Sequence, residues 1–130
     1  MKTEGIKYTG SKDKIIPYIL ELIQPLKVKK VLDGFSNCKF FNSDLSKWNV
    51  SNNKDFGWMF TNCIKFNSDL SKWDVSNGIT FGYMFYNCKS FDADLSSWNL
   101  KKMKEFYQFA VGTPIANHPE KLPKLKKSYK

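Results

Sequence analysis

One stretch of about 25 residues occurs three times, and nothing else in the chain constrains its fold as strongly. Phe35-Ser-Asn-Cys-Lys-Phe-Phe-Asn-Ser-Asp-Leu-Ser-Lys-Trp-Asn-Val-Ser-Asn is followed, 25 residues on, by Phe60-Thr-Asn-Cys-Ile-Lys-Phe-Asn-Ser-Asp-Leu-Ser-Lys-Trp-Asp-Val-Ser-Asn, and then by Phe85-Tyr-Asn-Cys-Lys-Ser-Phe-Asp-Ala-Asp-Leu-Ser-Ser-Trp-Asn-Leu. A single unit cannot bury a Trp, several Phe and a Leu, because both of its faces would be open. Stacking the units closes those faces, and three copies are about the minimum for a stable array.

Within each unit, Leu45, Trp48 and Val50, then Leu70, Trp73 and Val75, then Leu95, Trp98 and Leu100 have the spacing of a short, one-sided strand. The spacing then changes: Phe56, Met59, Phe60 and Cys63 fall at i, i+3, i+4 and i+7, and Phe81, Met84, Phe85 and Cys88 repeat them. That stripe predicts a short amphipathic helix, with Asn52 and Asn77 placed to cap it. Phe66-Asn67-Ser68-Asp69 predicts a return turn. The fold class expected is α/β: a short right-handed solenoid of three 25-residue strand-helix units. Trp48, Trp73 and Trp98 would form one column and Phe41, Phe66 and Phe91 another, about 4.8 Å apart where strands pair.

Residues 1–34 do not share the repeat. Ile15, Ile16, Ile19, Leu22, Ile23 and Leu26 predict one amphipathic helix, followed by a short strand over 27–33, and this helix-strand pair would cap the first repeat. Residues 35–112 hold the repeats, and 113–130 a Pro-containing turn and a Lys-rich tail.

The chain has 21 Lys and no Arg against 12 acidic residues, and the excess lies at the ends: five Lys and one acid in 113–130, but nine and seven in 35–112. Such a balance permits weak contact with acidic partners. Lack of Arg argues against sequence-specific reading of the major groove, whose commonest contact is a bidentate Arg fork on guanine. The opening Met1-Lys-Thr-Glu-Gly-Ile-Lys-Tyr holds no apolar run of leader length, and no stretch is long and apolar enough to span a membrane, so a cytoplasmic location is expected. Cys38, Cys63 and Cys88 share one repeat position on the apolar stripe, which reads as buried, reduced thiols.

The motif Asn-Cys-x-x-Phe-Asn-x-Asp-Leu-Ser-x-Trp-Asp-Val-Ser-Asn resembles the leucine-rich repeat of BspA-type bacterial surface proteins and mycoplasma lipoproteins, and the mobile elements that insert such repeats in frame into other genes. The resemblance implies a leucine-rich-repeat-like solenoid and a surface for protein contact. The residues that would form it are Lys47, Asn49, Ser51, Lys72, Asp74, Ser76, Ser97, Asn99 and Lys101, which point outward in the predicted strands. The N-terminal segment resembles the start of adenine-specific DNA methyltransferases: Tyr8-Thr-Gly-Ser-Lys12 matches one cofactor motif and Val31-Leu-Asp-Gly-Phe-Ser36 the opening of the next. That likeness implies relic contacts to S-adenosylmethionine at Tyr8, Gly10, Lys12 and Asp33. The Asp/Asn-Pro-Pro-Tyr motif that adenine methylation requires is absent, Asn117-His-Pro-Glu120 being the nearest string.

Asp44, Asp69 and Asp94 could be read as a calcium ladder, but Asp before Leu-Ser is more simply a side chain folding back on its own turn. The lone His118 and the Ser and Cys residues show no catalytic spacing. The sequence therefore points to a non-catalytic scaffold, with no cofactor and no metal, contacting an unidentified protein partner. Its alternatives are a residual S-adenosylmethionine-binding fragment and a weak, nonspecific nucleic-acid binder using the Lys-rich ends. Because Trp73 is central in its column, Trp73→Ala should cost about 3–5 kcal/mol in chemical denaturation, as large-to-small core changes do.

Overall fold

The local chain is dictated by two triplets five residues apart, Asp44-Leu45-Ser46 and Asn49-Val50-Ser51, and by their repeats. In each triplet the acidic or amide oxygen turns back to accept the N–H two residues on. Ser46 donates to Asp44 at 2.9 Å, Ser51 to Asn49 at 3.1 Å, Ser71 to Asp69 and Ser76 to Asp74 at 3.0 Å, Ser96 to Asp94 at 2.9 Å and Lys101 to Asn99 at 3.1 Å. Such Asx turns offer the backbone an alternative to a ladder. Each is followed by a backbone bond closing a turn: Trp48 N–H to Leu45 C=O, Asn53 to Val50, Trp73 to Leu70, Gly78 to Val75. The computed structural model describes residues 35–125, and within them the expected strand is this pair of turns.

The expected helix is absent too. Over 56–63 alternate N–H groups leave the unit: Phe56, Trp58, Phe60 and Asn62 donate to the carbonyls of Thr80, Gly82, Met84 and Tyr86. The groups between them close i to i+3 turns, Met59 to Phe56, Thr61 to Trp58 and Cys63 to Phe60. The next unit repeats this, with Phe81, Tyr83, Phe85 and Asn87 donating to Glu105, Tyr107, Phe109 and Val111. An α-helix is excluded by the left-handed residues in every copy: φ is 61° at Trp58, 57° at Tyr83 and 54° at Gln108, and 66°, 60°, 61° and 83° at Asn37, Asn62, Asn87 and Gly112.

The α/β strand-helix class is therefore overturned. Over residues 36–125 regular structure is limited to two 3₁₀ turns, Pro114–Asn117 and Pro119–Lys121, and to isolated parallel bridges of Thr80 with Asp55 and with Glu105. Stripes at i, i+3, i+4 and i+7 arise because consecutive three-residue turns bring residues inward at nearly the helical interval. Asn52 and Asn77 have no helix to cap; Asn77 instead donates from its side-chain amide to Ser51 C=O at 2.7 Å.

The units nonetheless stack in register. Phe41, Phe66 and Phe91 form a column with centroids 5.6 and 5.7 Å apart and planes within 8° and 2°. Phe35, Phe60 and Phe85 form a second at 5.6 Å per step, and Ala110 follows in the same position. The two columns touch, Phe60 lying 4.2 Å from Phe66 and Phe85 4.1 Å from Phe91. The tryptophans do not stack on one another: Trp73 tilts against Phe56 and Phe60, and Trp98 against Phe81 and Phe85. Their indole N–H groups donate across a step, Trp73 to Leu45 C=O and Trp98 to Leu70 C=O, both at 2.8 Å.

A partial fourth unit supplies Met103, Phe109, Ala110 and Thr113 to the core, and Ile115 from the first 3₁₀ turn is fully buried. The Lys-rich tail packs down where it is described: Leu122 and Leu125 lie against the core, and Lys121 C=O accepts from Leu95 N–H at 2.8 Å. The predicted N-terminal helix, strand and cap lie outside the described residues.

The exposed Gln108 separates the two local conformations. In a helix Gln108→Gly would lose about 0.5–1 kcal/mol. At the observed φ it relieves a left-handed backbone that costs an L-residue about 1–2 kcal/mol, so a higher unfolding midpoint is expected by thermal denaturation, and a lower one would restore the helix.

Candidate functional site

Stacking in register carries the outward residues of successive units into columns. Lys47, Lys72 and Ser97 form one, Asn49, Asp74 and Asn99 a second, and Ser51, Ser76 and Lys101 a third. Together they make a continuous ridge in which Lys47, Asn49, Lys72, Asp74, Ser97, Asn99 and Lys101 are exposed and Ser51 and Ser76 half-buried. Several of these nine residues also build the turns. Ser51 and Ser76 donate their hydroxyls to Asn49 and Asp74 at 2.6 Å, and the Ser97 hydroxyl donates to Ser71 C=O at 2.9 Å. The lysines are the long, projecting groups of the ridge. Its edge continues into Lys102, which donates to the Asn77 side chain at 2.8 Å.

Asp44, Asp69 and Asp94 border two shallow troughs, of about 360 Å³ with Asn42 and Ser46 and about 450 Å³ with Asp92 and Ser96. Each carboxyl is held below the usual range by its turn: by the Ser46 hydroxyl and N–H at Asp44, the Ser71 N–H and hydroxyl at Asp69, and the Ser96 hydroxyl and N–H at Asp94. Asp74 is lowered in the same way by Ser76. Among the described residues no group of three or more His, Cys, Asp or Glu is placed to hold a metal ion. The side chains of Asn42 and Asn67 instead tie units together, accepting the N–H of Asn67 at 2.8 Å and of Asp92 at 2.9 Å. Lys121 pairs with Asp92 at 2.8 Å on the surface.

Cys38, Cys63 and Cys88 are free and buried. Cys63 and Cys88 donate Sγ–H to Phe35 C=O at 2.8 Å and Phe60 C=O at 2.9 Å, and burial pushes the Cys88 thiol up to about 12, far from a nucleophile's range. His118 is exposed, with Nδ1 3.0 Å from Glu120. The relic cofactor contacts Tyr8, Gly10, Lys12 and Asp33 lie outside the described residues.

A second surface was missed by the outward-strand reading. Trp58, Tyr83 and Tyr107 form an aromatic file with exposed ends and a half-buried middle, Trp58 stacked on Tyr83 at 4.1 Å and Tyr107 edge-on to Tyr83 at 5.4 Å. Its signal in the sequence is the recurring Gly-aromatic pair, Gly57-Trp58 and Gly82-Tyr83.

A family model described as Mycoplasma protein of unknown function, DUF285, matches residues 16–120. The chain belongs to this family. The match to DUF285 covers all three repeats and begins at Ile16, inside the segment that does not repeat. No curated protein and no solved structure matches the chain. No helix among the described residues of this DUF285 chain is long and apolar enough to cross a membrane.

Depressed carboxyl values stabilise the folded state above the unfolded carboxyl range, and that contribution is lost as pH falls through the folded values. The denaturant midpoint should hold from neutrality to about pH 5 and decline below about pH 4. Replacing Asp44, Asp69 and Asp94 together by Asn should flatten the decline. Asn already serves the same turn at Asn49 and Asn99, accepts the same N–H, and does not titrate.

Proposed function

We propose that the chain is a non-catalytic repeat scaffold whose ridge, from Lys47 to Lys101, is a contact surface for a protein partner. The observation that supports this most directly is the registration of equivalent residues from three units into columns, two of which, Asn49–Asp74–Asn99 and Ser51–Ser76–Lys101, are fixed by Asx turns. Such a surface is rigid before binding, so little ordering entropy is lost on contact. Lys47, Lys72 and Lys101 against the single acid Asp74 favour an acidic patch on the partner.

The likeness to BspA-type repeats, which implies a surface for protein contact, is in keeping with this reading. We further infer that the repeats entered as a mobile element after the start of an adenine-specific methyltransferase gene, leaving the N-terminal segment as a cap with no catalytic role and the product in the cytoplasm. The thiols and His118 give no support to an enzymatic alternative: the thiols are buried, and His118 has only Glu120 beside it.

Photo-crosslinkers placed at Lys47 and Lys72 should capture the same partner from cells of the source type. Lys47→Glu with Lys72→Glu and Lys101→Glu should abolish that capture at an unchanged denaturation midpoint. Lys54→Glu with Lys104→Glu, in the neighbouring stretch, should leave it intact. Equal capture by both variants, or binding of random duplex DNA that weakens steeply with salt and accounts for the captured material, would overturn the protein-scaffold reading.

A further inference from the structure

The stack ends in a row of forward-pointing backbone donors. The third unit hands its N–H groups to the carbonyls of Glu105, Tyr107, Phe109 and Val111 at 2.8–3.0 Å. In a planar trans peptide the N–H of the next residue points opposite to the carbonyl, so Phe106, Gln108, Ala110 and Gly112 aim theirs off the end of the stack. In the second and third units the same positions donate forward, from Phe56 through Asn62 and from Phe81 through Asn87. Among the described residues no acceptor meets the four in the last unit.

The row is neither shielded nor blunted. Tyr107, Gln108, Val111 and Gly112 are exposed, and the 3₁₀ turns that follow lie back against the third unit, where Lys121 C=O accepts from Leu95 N–H. Exposed backbone edges are ordinarily protected by charged side chains, Pro or a bulge. Residues 106–112, Phe-Tyr-Gln-Phe-Ala-Val-Gly, carry no Pro and no charge, in a chain that is 25% charged. Ala110 is buried, and a buried donor with no acceptor is destabilising.

Polarity restricts what fits the row. The carbonyls of Phe56, Trp58 and Phe60 are spent inside their own turns, on Met59, Thr61 and Cys63, and Ala110 C=O is likewise taken by the Thr113 N–H and hydroxyl. What faces outward is a file of donors. A second such row would meet it donor to donor, which rules out two copies joining tail to tail. An ordinary strand edge alternates N–H with C=O, so half of its groups would be mismatched. The stretch that does match is the acceptor side of this repeat, where Thr80, Gly82, Met84 and Tyr86 present successive carbonyls to the second unit at 2.8–3.0 Å.

We propose that residues 106–112 dock the acceptor stretch of a further repeat of this kind carried by a second chain, continuing between molecules the interface that joins the units within one. This goes beyond the protein-contact reading of the ridge and does not depend on it. A peptide copying residues 77–87, with lysines added at both ends for solubility, carries those four carbonyls and is the probe. It is titrated into the full chain while amide hydrogen exchange is followed by NMR.

Exchange at Phe106, Gln108, Ala110 and Gly112 should slow about tenfold at saturation, with the intervening Tyr107 and Val111 amides unchanged. An alternating Thr-Val peptide, which pairs as an ordinary strand, should not give that pattern. Ala110→Pro deletes one donor and should weaken binding about tenfold, the ratio that one net hydrogen bond supplies. The alternate-residue pattern in the unaltered chain decides even where that variant fails to fold. The same pattern arising with the chain's own concentration, and no peptide, would identify a second copy as the carrier. The proposal is overturned by the absence of a saturable change or by equal protection from the Thr-Val peptide. It is also overturned if the four amides exchange slowly in the free chain and are released by deleting residues 126–130, which would make the chain's own end the occupant.

Discussion

Backbone donors that their own unit cannot satisfy hold this structure together. Along 56–62 every second N–H points out of its turn, and the only acceptors offered are carbonyls 24 residues ahead. A buried donor left unpaired costs about 1–3 kcal/mol, so four such groups per unit make the stack obligatory rather than optional. The hand-off also fixes register, since an inserted residue would move every donor off its carbonyl. At the far end the fourth unit accepts from the third, and the two 3₁₀ turns with Leu122 and Leu125 close the apolar face that no fifth unit covers.

Side chains complete the same accounts. Leu45 C=O accepts from Trp48 N–H within its turn and from Trp73 Nε1 across the step, using both lone pairs. Phe35 C=O accepts from Cys38 N–H and from Cys63 Sγ in the same manner. The recurrence of Trp and Cys follows from this: each is apolar enough for the core and carries one donor at the height of the neighbouring unit. Asn37, Asn62 and Asn87 form a parallel ladder, each amide donating to the previous oxygen at 2.8 and 2.9 Å. Thr113 stands where a fourth Cys would, and its hydroxyl turns instead to Ala110 C=O at 2.6 Å.

The period and the core were legible in the sequence; the local conformation was not. Phe56, Met59, Phe60 and Cys63 were expected inside and are inside, as are Leu45, Val50, Trp73 and Phe66. Their spacing was read as a helix because three-residue turns and an α-helix bring side chains to one face at nearly the same interval. Two signals would have separated them. Asp-Leu-Ser and Asn-Val-Ser five residues apart mark successive Asx turns, which a strand has no use for. The column Asn37, Asn62, Asn87, Gly112 is the residue preference of a left-handed backbone, and it sits within the stripe assigned to the helix. Of the outward ridge, the positions were legible, but the turn bonds that Asn49, Ser51, Asp74 and Ser76 make were hidden by the strand assignment.

Trp58 and Tyr83 sharpen the point, because a bulky aromatic residue is a poor choice for positive φ. A left-handed L-residue costs about 1–2 kcal/mol, whereas an aromatic pair contributes about 0.5–1.5 kcal/mol beyond the area it buries. With rings 4.1 Å apart, the two terms are of the same size, so stacking between units offsets the strain within each. The turn is therefore imposed by the hydrogen-bond register and only tolerated by the residues that occupy it. Gln108, at the next such position, keeps the left-handed backbone at φ 54° without a third aromatic ring there; Tyr107, one residue earlier, supplies the last ring of the aromatic file and leans over Gly82. That displacement by one residue places a ring over Gly82, whereas the following unit meets Gly57 with the backbone carbonyl of Gly82.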